Sequence, residues 1–574
     1  MPRHQSAGWL TPAAHHEGAS SSSPLADAAR ETSPLLQAGA HSGYGGTATA
    51  SISTGASTGN GHHNHTVHRR PSLVGGAASG WDRTAPGLPG QETLDELAHE
   101  AAQQPGPRRE LAVLLAYSAP IWATHVLELS LNVVSVFSLG HLGTTELAAA
   151  SLSSMTANVT GFSVLSGFIS ALDSVLPAAY SHAPKTVGLW TQRAAVISAV
   201  LLVPISAIWL ASEQILGLLG QEEQVAALAS LYLRILVLGL PGYACFEICR
   251  RYLQAQGLMH APTVVLFVAS PLNAVLNYLL VWGPPSVRLG FIGAPIASVV
   301  STWLMALLCL LQCYVAPRIA WAGWSRRAFS GLSPLVNLGL AGTLAICSEW
   351  WSWEIVGLVT TRLGTVALAA QSVLLVSSSI TYQLPFALSV AAAVRVGNHL
   401  GAGQAHAANV ASNMSMLLSL ACGAFNSALF LAFRNQWGYW FTEDRAVIDL
   451  VYAILPLLAL FQVADGICGV AGGVLRGTGR QAQGAVANLV GYYLIGIPLG
   501  FFLTFGPWQW GLAGLWIGLT VALLFASLAM GLVLGCTDWR YEVHKTFVRM
   551  GVDDDGPTPK PASNHAPAAA PAEP

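Results

Sequence analysis

Charge is what this chain has least of. Asp, Glu, Lys and Arg make up only 9% of its 574 residues, against 53% hydrophobic ones. A water-soluble domain carries about 25% charged residues, so this chain cannot solvate its own surface as a globular protein does. A Gly-x-x-x-x-Gly-Lys-Ser/Thr phosphate loop is missing, which excludes an ATP-driven machine of that type. His-Glu-x-x-His is missing as well, so no zinc-hydrolase site is encoded. The eight cysteines contain no Cys-x-x-Cys pair and lie in or beside apolar segments, although Cys245/Cys249 and Cys309/Cys313 are spaced i, i+4. They read as small packing residues rather than as a disulfide framework or a metal site. An apolar leader is also absent from residues 1–100.

What is present is a series of long apolar runs. Twelve of them, near residues 111–137, 146–172, 189–212, 224–247, 262–283, 291–316, 333–361, 366–394, 407–433, 447–474, 482–505 and 511–535, are long enough to cross about 30 Å of hydrocarbon as helices. Turn residues separate them, as in Gly283-Pro284-Pro285 and Gly401-Ala402-Gly403. The sequence therefore predicts an all-α membrane protein of twelve transmembrane helices. Residues 1–106 form an N-terminal tail rich in Ser, Gly, Ala, Pro and His. They lack the apolar content that offsets ordering entropy and read as disordered; the tract His62-His63-Asn64-His65-Thr66-Val67-His68 reads as solvated low complexity. Residues 541–574 read as a second tail, disordered from Asp553 on.

Loop charge orients the bundle. Arg108, Arg109, Lys185, Arg193, Arg250, Arg251, Arg318, Arg326, Arg327, Arg395, Arg476, Arg480, Arg540, Lys545 and Arg549 fall in one set of loops. The other set has Arg288, Arg362, Arg434 and Arg445, mixed with acids such as Glu222, Glu223, Glu443 and Asp444. The positive-inside rule places the first set, and both termini, in the cytosol. A weak internal repeat relates Arg250–Gly257 to Gly473–Arg480. An even number of spans separates the copies, which predicts two pseudo-symmetric six-helix lobes, 107–325 and 326–540, with a cavity near the midplane.

Acids inside apolar spans are the informative exceptions. A carboxylate at bilayer depth costs roughly 2.5–3.5 kcal/mol, and groups that bind protons and cations are kept there for use. Glu349 and Glu354 lie about 140° apart on a helix, among Trp350, Trp351 and Trp353, whose ring faces can hold an organic cation. Asp465 precedes the small-residue run Gly466–Gly473, which allows close helix approach and an interior position. Glu128 lies two turns beyond Pro120 and is a further candidate. Tyr382, Gln383 and Tyr492 are candidate cavity-lining groups. His125, Asn273 and Asn277 read as hydrogen-bonded core residues.

These segments carry a resemblance. Ala171-Leu172-Asp173-Ser174 with Ala179-Tyr180, Ser348 to Glu354, Ala391–Gly403 (AAAVRVGNHLGAG), and Gly472–Gly479 (GGVLRGTG) with Gly491-Tyr492-Tyr493 together resemble the multidrug and toxic compound extrusion (MATE) family, in its eukaryotic, fungal-type branch. The similarity covers about residues 107 to 540. It implies the two-lobe plan and no enzyme activity. It also implies proton-coupled exchange of organic, mainly cationic, xenobiotics and metabolites, with Glu349, Glu354 and Asp465 as coupling and recognition acids. Bacterial members carry an Asp late in the first helix; the matching place here is near Ser135, and Glu128 stands where relatives commonly have Gln. No cofactor is implied beyond an ion gradient, protons rather than sodium. Expected partners are organic cations and the bilayer, with no nucleic acid and a monomeric state. Two alternatives stay open: a sodium-coupled exchanger, and a lipid or oligosaccharide flippase, which would need basic spans where only Arg234 is found. Glu31-Thr32-Ser33-Pro34-Leu35-Leu36 has the form of an acidic dileucine sorting signal, with Glu31, Leu35 and Leu36 read by a sorting adaptor. It favours the vacuolar membrane over the plasma membrane.

Overall fold

The computed structural model describes residues 106–316 and 318–551. The first hundred residues, with the histidine tract and the Glu31–Leu36 motif, lie outside them, as does the tail beyond residue 551. Among the described residues every regular element is helical.

Twelve long helices follow in order: α1 Pro107–Gly140, α2 Thr144–His182, α3 Pro184–Leu210, α4 Glu223–Ala255, α5 His260–Trp282, α6 Gly290–Val315, α7 Ser333–Thr360, α8 Thr365–Gly401, α9 Ala405–Ala432, α10 Arg445–Thr478, α11 Gln481–Phe505 and α12 Leu512–Gly535. Eleven of these are long and apolar enough to cross a membrane. The remaining one, α7, has 28 residues and is long enough. Asn337, Glu349, Glu354 and three tryptophans make it less apolar than its neighbours.

Local chemistry explains the ends. Pro107 opens α1, where a missing N–H costs nothing. Asp444 caps α10 by accepting from the Ala446 N–H (2.9 Å), and Gly479 ends the helix in the left-handed region, φ 70°. Pro241 and Pro498 fall at the first turn of helical segments that follow a 3-10 and a π turn, whereas Pro120, Pro385 and Pro456 lie inside α1, α8 and α10. The Pro120 carbonyl accepts both the Thr124 and the Thr263 hydroxyl (2.9 and 2.8 Å), which ties α1 to α5.

Two apolar cores organise the bundle. One is built mainly from α2 to α6, the other from α8 to α12. The first and seventh helices cross between the cores: Val113, Leu114, Tyr117 and Ile121 of α1 pack in the second while its Leu127 and Leu131 pack on the first, and Leu335 of α7 packs in the first while its Val356 packs in the second. The halves meet at the end that carries Pro107 and Gly401. There Gly401 lies against the Ala178 backbone, and deeper in the bundle Gly167 lies against Gly342 and Thr343, leaving no room for a Cβ.

Several helices run past the points where their apolar runs stop. Helix α2 continues to His182 instead of 172, α4 to Ala255 instead of 247, and α8 to Gly401 instead of 394. Hydropathy marks where apolar residues end, whereas a helix continues wherever its polar groups find internal partners. Arg250, Arg395 and their neighbours are accordingly inside the protein. The tail expected from 541 begins with an additional helix, α13, at Trp539–Arg549, capped by Asp538, which accepts from Arg540 and Tyr541 N–H (2.9 and 3.3 Å). This helix straddles the halves. Phe547 packs on His182 of α2 (ring centroids 4.8 Å apart), Val543 packs on the second core and Met550 on the first.

Candidate functional site

A chamber of about 680 Å³ lies between the halves, within the usual 300–1,000 Å³ of small-molecule sites. It runs from Asp173, Arg476 and Gln481 at the closed end toward Val136 and Leu139 near the far end of α1. Two walls of different character face each other across it.

The α7–α8–α10 wall presents Glu349, Trp350, Tyr382, Gln383, Phe386 and Asp465. Asp465 is 7% exposed and lines the same wall as Glu349. Neither side chain has a hydrogen bond or an ion pair among the described residues. Tyr382 and Phe386 rings lie beside each other (5.9 Å), and the Gln383 amide donates to the Ser379 carbonyl (2.9 Å).

On the opposite wall every acid is matched. Glu128 of α1 lies 3.1 Å from Arg250 and 3.2 Å from His125 Nδ1. Glu247 holds both Arg250 (2.7 Å) and Arg251. Arg251 Nε donates to Asp173 (3.0 Å), and Asp173 in turn faces Arg476 of α10 at 3.6 Å. Five acids and three arginines line the chamber. Three of the acids are consumed by the arginines, so the formal excess of two negative charges sits on Glu349 and Asp465.

Below the chamber a second link joins the halves. Glu110 of α1, 1% exposed, accepts two bonds from Arg395 of α8, each 2.8 Å, and its Oε2 lies 3.4 Å from His399.

The predicted site residues divide accordingly. Glu349, Asp465, Glu128, Trp350, Tyr382 and Gln383 line one chamber. Glu354, Trp351, Trp353 and Tyr492 do not. Glu354 is half-buried on another face of α7, as the 140° separation requires. Trp351 donates to the Val159 carbonyl of α2 (3.0 Å), and Trp353 packs between Phe461 and Trp516 (5.5 and 5.8 Å). Tyr492 is buried at 1% exposure behind the acids, on the π turn Val490–Gly496. The claim that the spans offer only Arg234 as a cation is corrected. Arg234 is partly exposed and paired with Glu213 (2.9 Å), while Arg250, Arg251 and Arg476 line the chamber. All three are matched by carboxylates, so no basic pocket results. Asp173 and Arg476 lie in the family-like motifs, but Arg476, like Arg250 and Arg251, has the sequence setting of a loop charge. Their company of small residues (Ala171, Gly472, Gly473 and Gly477) was the available signal that those segments are packed.

The comparisons with known proteins fit this architecture. The MatE family model matches twice, over residues 120–279 and 343–502, one copy in each half. An uncharacterized transporter of Schizosaccharomyces pombe is 43% identical over 421 residues, 73% of this chain and 78% of that protein. Multidrug and toxin extrusion protein 1 of Homo sapiens is 34% identical over 426 residues, 73% of this chain and 74% of that one. The crystal structure of the eukaryotic MATE transporter AtDTX14 superposes with a TM-score of 0.73 at 32% identity, covering 78% of this chain and all of that one. With the double family match, the crossed α1 and α7 and the chamber between the halves, this chain belongs to the MATE family of multi-pass membrane transporters that extrude drugs and toxins.

Proposed function

We propose that the protein is a proton-coupled antiporter of organic cations, and not an enzyme. The observation that carries this reading is the asymmetry of charge in the chamber. Glu349 and Asp465 are its unmatched acids, and they share the chamber lining with Trp350, Tyr382 and Phe386, aromatic rings of the kind that suit a flat or quaternary cation. A proton and a cationic cargo neutralise the same carboxylates, so the two compete for one site. Where the chamber faces an acidic compartment, protons displace cargo; where it faces neutral cytosol, the bare acids recruit it. Each pH unit across the membrane is worth about 1.4 kcal/mol, or tenfold accumulation for one-to-one exchange.

Exposed cations support a cytosolic closed end. Arg108, Arg109, Lys185, Arg326, Arg327, Arg540 and Lys545 are exposed at that end, once the internally paired arginines are set aside. The Glu31–Leu36 motif supports a vacuolar address; a Leu35→Ala, Leu36→Ala variant that reaches the same membrane as the wild type would remove that inference.

The deciding experiment uses proteoliposomes in sodium-free buffer with an imposed pH gradient and a panel of fluorescent organic cations. Gradient-driven uptake that disappears in Glu349→Gln is expected. Uptake that needs sodium would favour a sodium-coupled exchanger, and uptake untouched by Glu349→Gln would sink the assignment of that residue.

A further inference from the structure

One cation in the chamber has business in both halves. Arg476 of α10 donates from Nη2 to the Ser389 hydroxyl of α8 (2.6 Å), which anchors it to its own half. Its Nε faces Asp173 of α2 across the boundary at 3.6 Å, and its backbone carbonyl accepts the Ser174 hydroxyl. Asp173 has a nearer partner, Arg251, at 3.0 Å on its own side. The bridge is therefore unequal. If the halves part at this end, Asp173 keeps Arg251, but Arg476 leaves behind the carboxylate it was paired with. Within its own half, Arg476 shares the chamber lining with Glu349, an acid that no cation among the described residues holds.

We propose that Arg476 is a positioning residue that reports the state of Glu349 to the closed end. While Glu349 is neutralised, by a proton or by a cationic cargo, Arg476 stays with Asp173 and the halves remain together. When Glu349 is bare, it competes for the guanidinium, the bridge to Asp173 weakens, and the halves part more readily. Cargo then has to displace a tethered cation, and in doing so it returns Arg476 to Asp173. This proposal rests on the reading of Glu349 as the exchange site.

The groups around Arg476 allow that assignment to be isolated. Asp173 faces it from the other half, where Glu247 and Arg251 also line the chamber, and Glu349, Tyr382, Asp465 and Cys468 line it from its own. Asp173 and Glu247 remain tied to Arg251 whatever happens at Glu349. Asp465 is the acid that must be separated from Glu349 by substitution.

Spin labels at Lys185 and Ala402 provide the test. Both positions are exposed, and they flank the contact between Ser181 and Asn398 (3.4 Å) that joins α2 to α8. The full-length protein, with Cys536 replaced by Ser, is placed in nanodiscs without cargo. Interspin distances are recorded at acidic (about 5.5) and alkaline (about 8.5) pH, above the ordinary range of carboxylates at the alkaline end. Wild type is expected to give a short distance at acidic pH and a growing longer-distance population at alkaline pH. Tetraphenylphosphonium, whose charge does not depend on pH, should reverse that growth. Glu349→Gln should remain short throughout, Arg476→Gln should lose the pH response, and Arg476→Lys and Asp465→Asn should keep it. A pH response that survives Arg476→Gln while Glu349→Gln abolishes it overturns the role of Arg476 alone. A response that survives Glu349→Gln overturns the exchange-site reading beneath it, and a wild type without any response overturns the coupling.

Discussion

Replacing Glu110 by Gln removes one charge of the most buried ion pair that joins the two halves. Glu110 and Arg395 are 1% and 4% exposed and share two bonds of 2.8 Å. Breaking a buried pair from one side costs about 3–5 kcal/mol, because the surviving charge is left uncompensated. Arg395 retains a bond to His399 Nε2 (3.0 Å), and the glutamine amide can still accept one. The lower figure, about 3 kcal/mol, is therefore the better expectation. For domains of 150–250 residues each kcal/mol lowers the melting point by about 2–4 °C, which suggests a loss of roughly 6 °C here. Thermal unfolding of the detergent-purified protein, followed by loss of monodisperse fluorescence on gel filtration, measures it. The double variant Glu110→Gln, Arg395→Gln should melt higher than Glu110→Gln alone, since no orphan charge remains. A single variant that melts within about 1 °C of wild type, or a double variant whose losses simply add, would refute the argument.

Four further outcomes follow from the same geometry. Glu354→Gln should leave pH-driven uptake near wild type while Asp465→Asn reduces it severely, because only Asp465 reaches the chamber; equal loss in both would contradict the placement. Trp353→Ala should cost about 3–5 kcal/mol of stability by emptying the space between Phe461 and Trp516. Trp350→Ala should instead spare the melting point and weaken the apparent affinity for an aromatic cation by roughly twofold to thirtyfold, the range of a cation–π contact. Gly401→Ala forces a Cβ into the Ala178 backbone, an overpacking worth about 1–3 kcal/mol, and should raise the rate at which a cysteine placed at Asn398 reacts with a polar maleimide.

Much of this architecture was legible before any coordinates. Long apolar runs bounded by Gly and Pro mark the spans, because a helix is the structure in which a single segment satisfies its own backbone in lipid. The rarity of acids in those runs singled out Glu349 and Asp465. The errors concentrate at helix ends. Arg250, Arg251, Arg395 and Arg476 look like loop charges in a hydropathy profile, yet each is held inside the bundle by a carboxylate far off in sequence: Glu128, Asp173, Glu110 and Asp173 respectively. Pairing across such distances leaves no local periodic trace. The tryptophans around Glu349 show a different limit. Composition makes all three look alike, and only rotation about the α7 axis sends Trp350 to the chamber, Trp351 to α2 and Trp353 to the core. Helix α13 was missed because its composition is that of a polar tail; its order comes from what it packs against.

The polarity of α7 bears on how the protein is made. Insertion machinery judges each segment by its partition into lipid, where an acid at the helix centre costs about 2.5–3.5 kcal/mol. A nascent α7 carrying two glutamates is thus a poor candidate for stable solitary entry. Its docking surface on α2 is already synthesised when it emerges, while its neighbour α11 comes more than a hundred residues later. The second half's biogenesis would then depend on a first half already lodged in the bilayer, and an acid that lines the finished chamber would set the order in which it can be assembled.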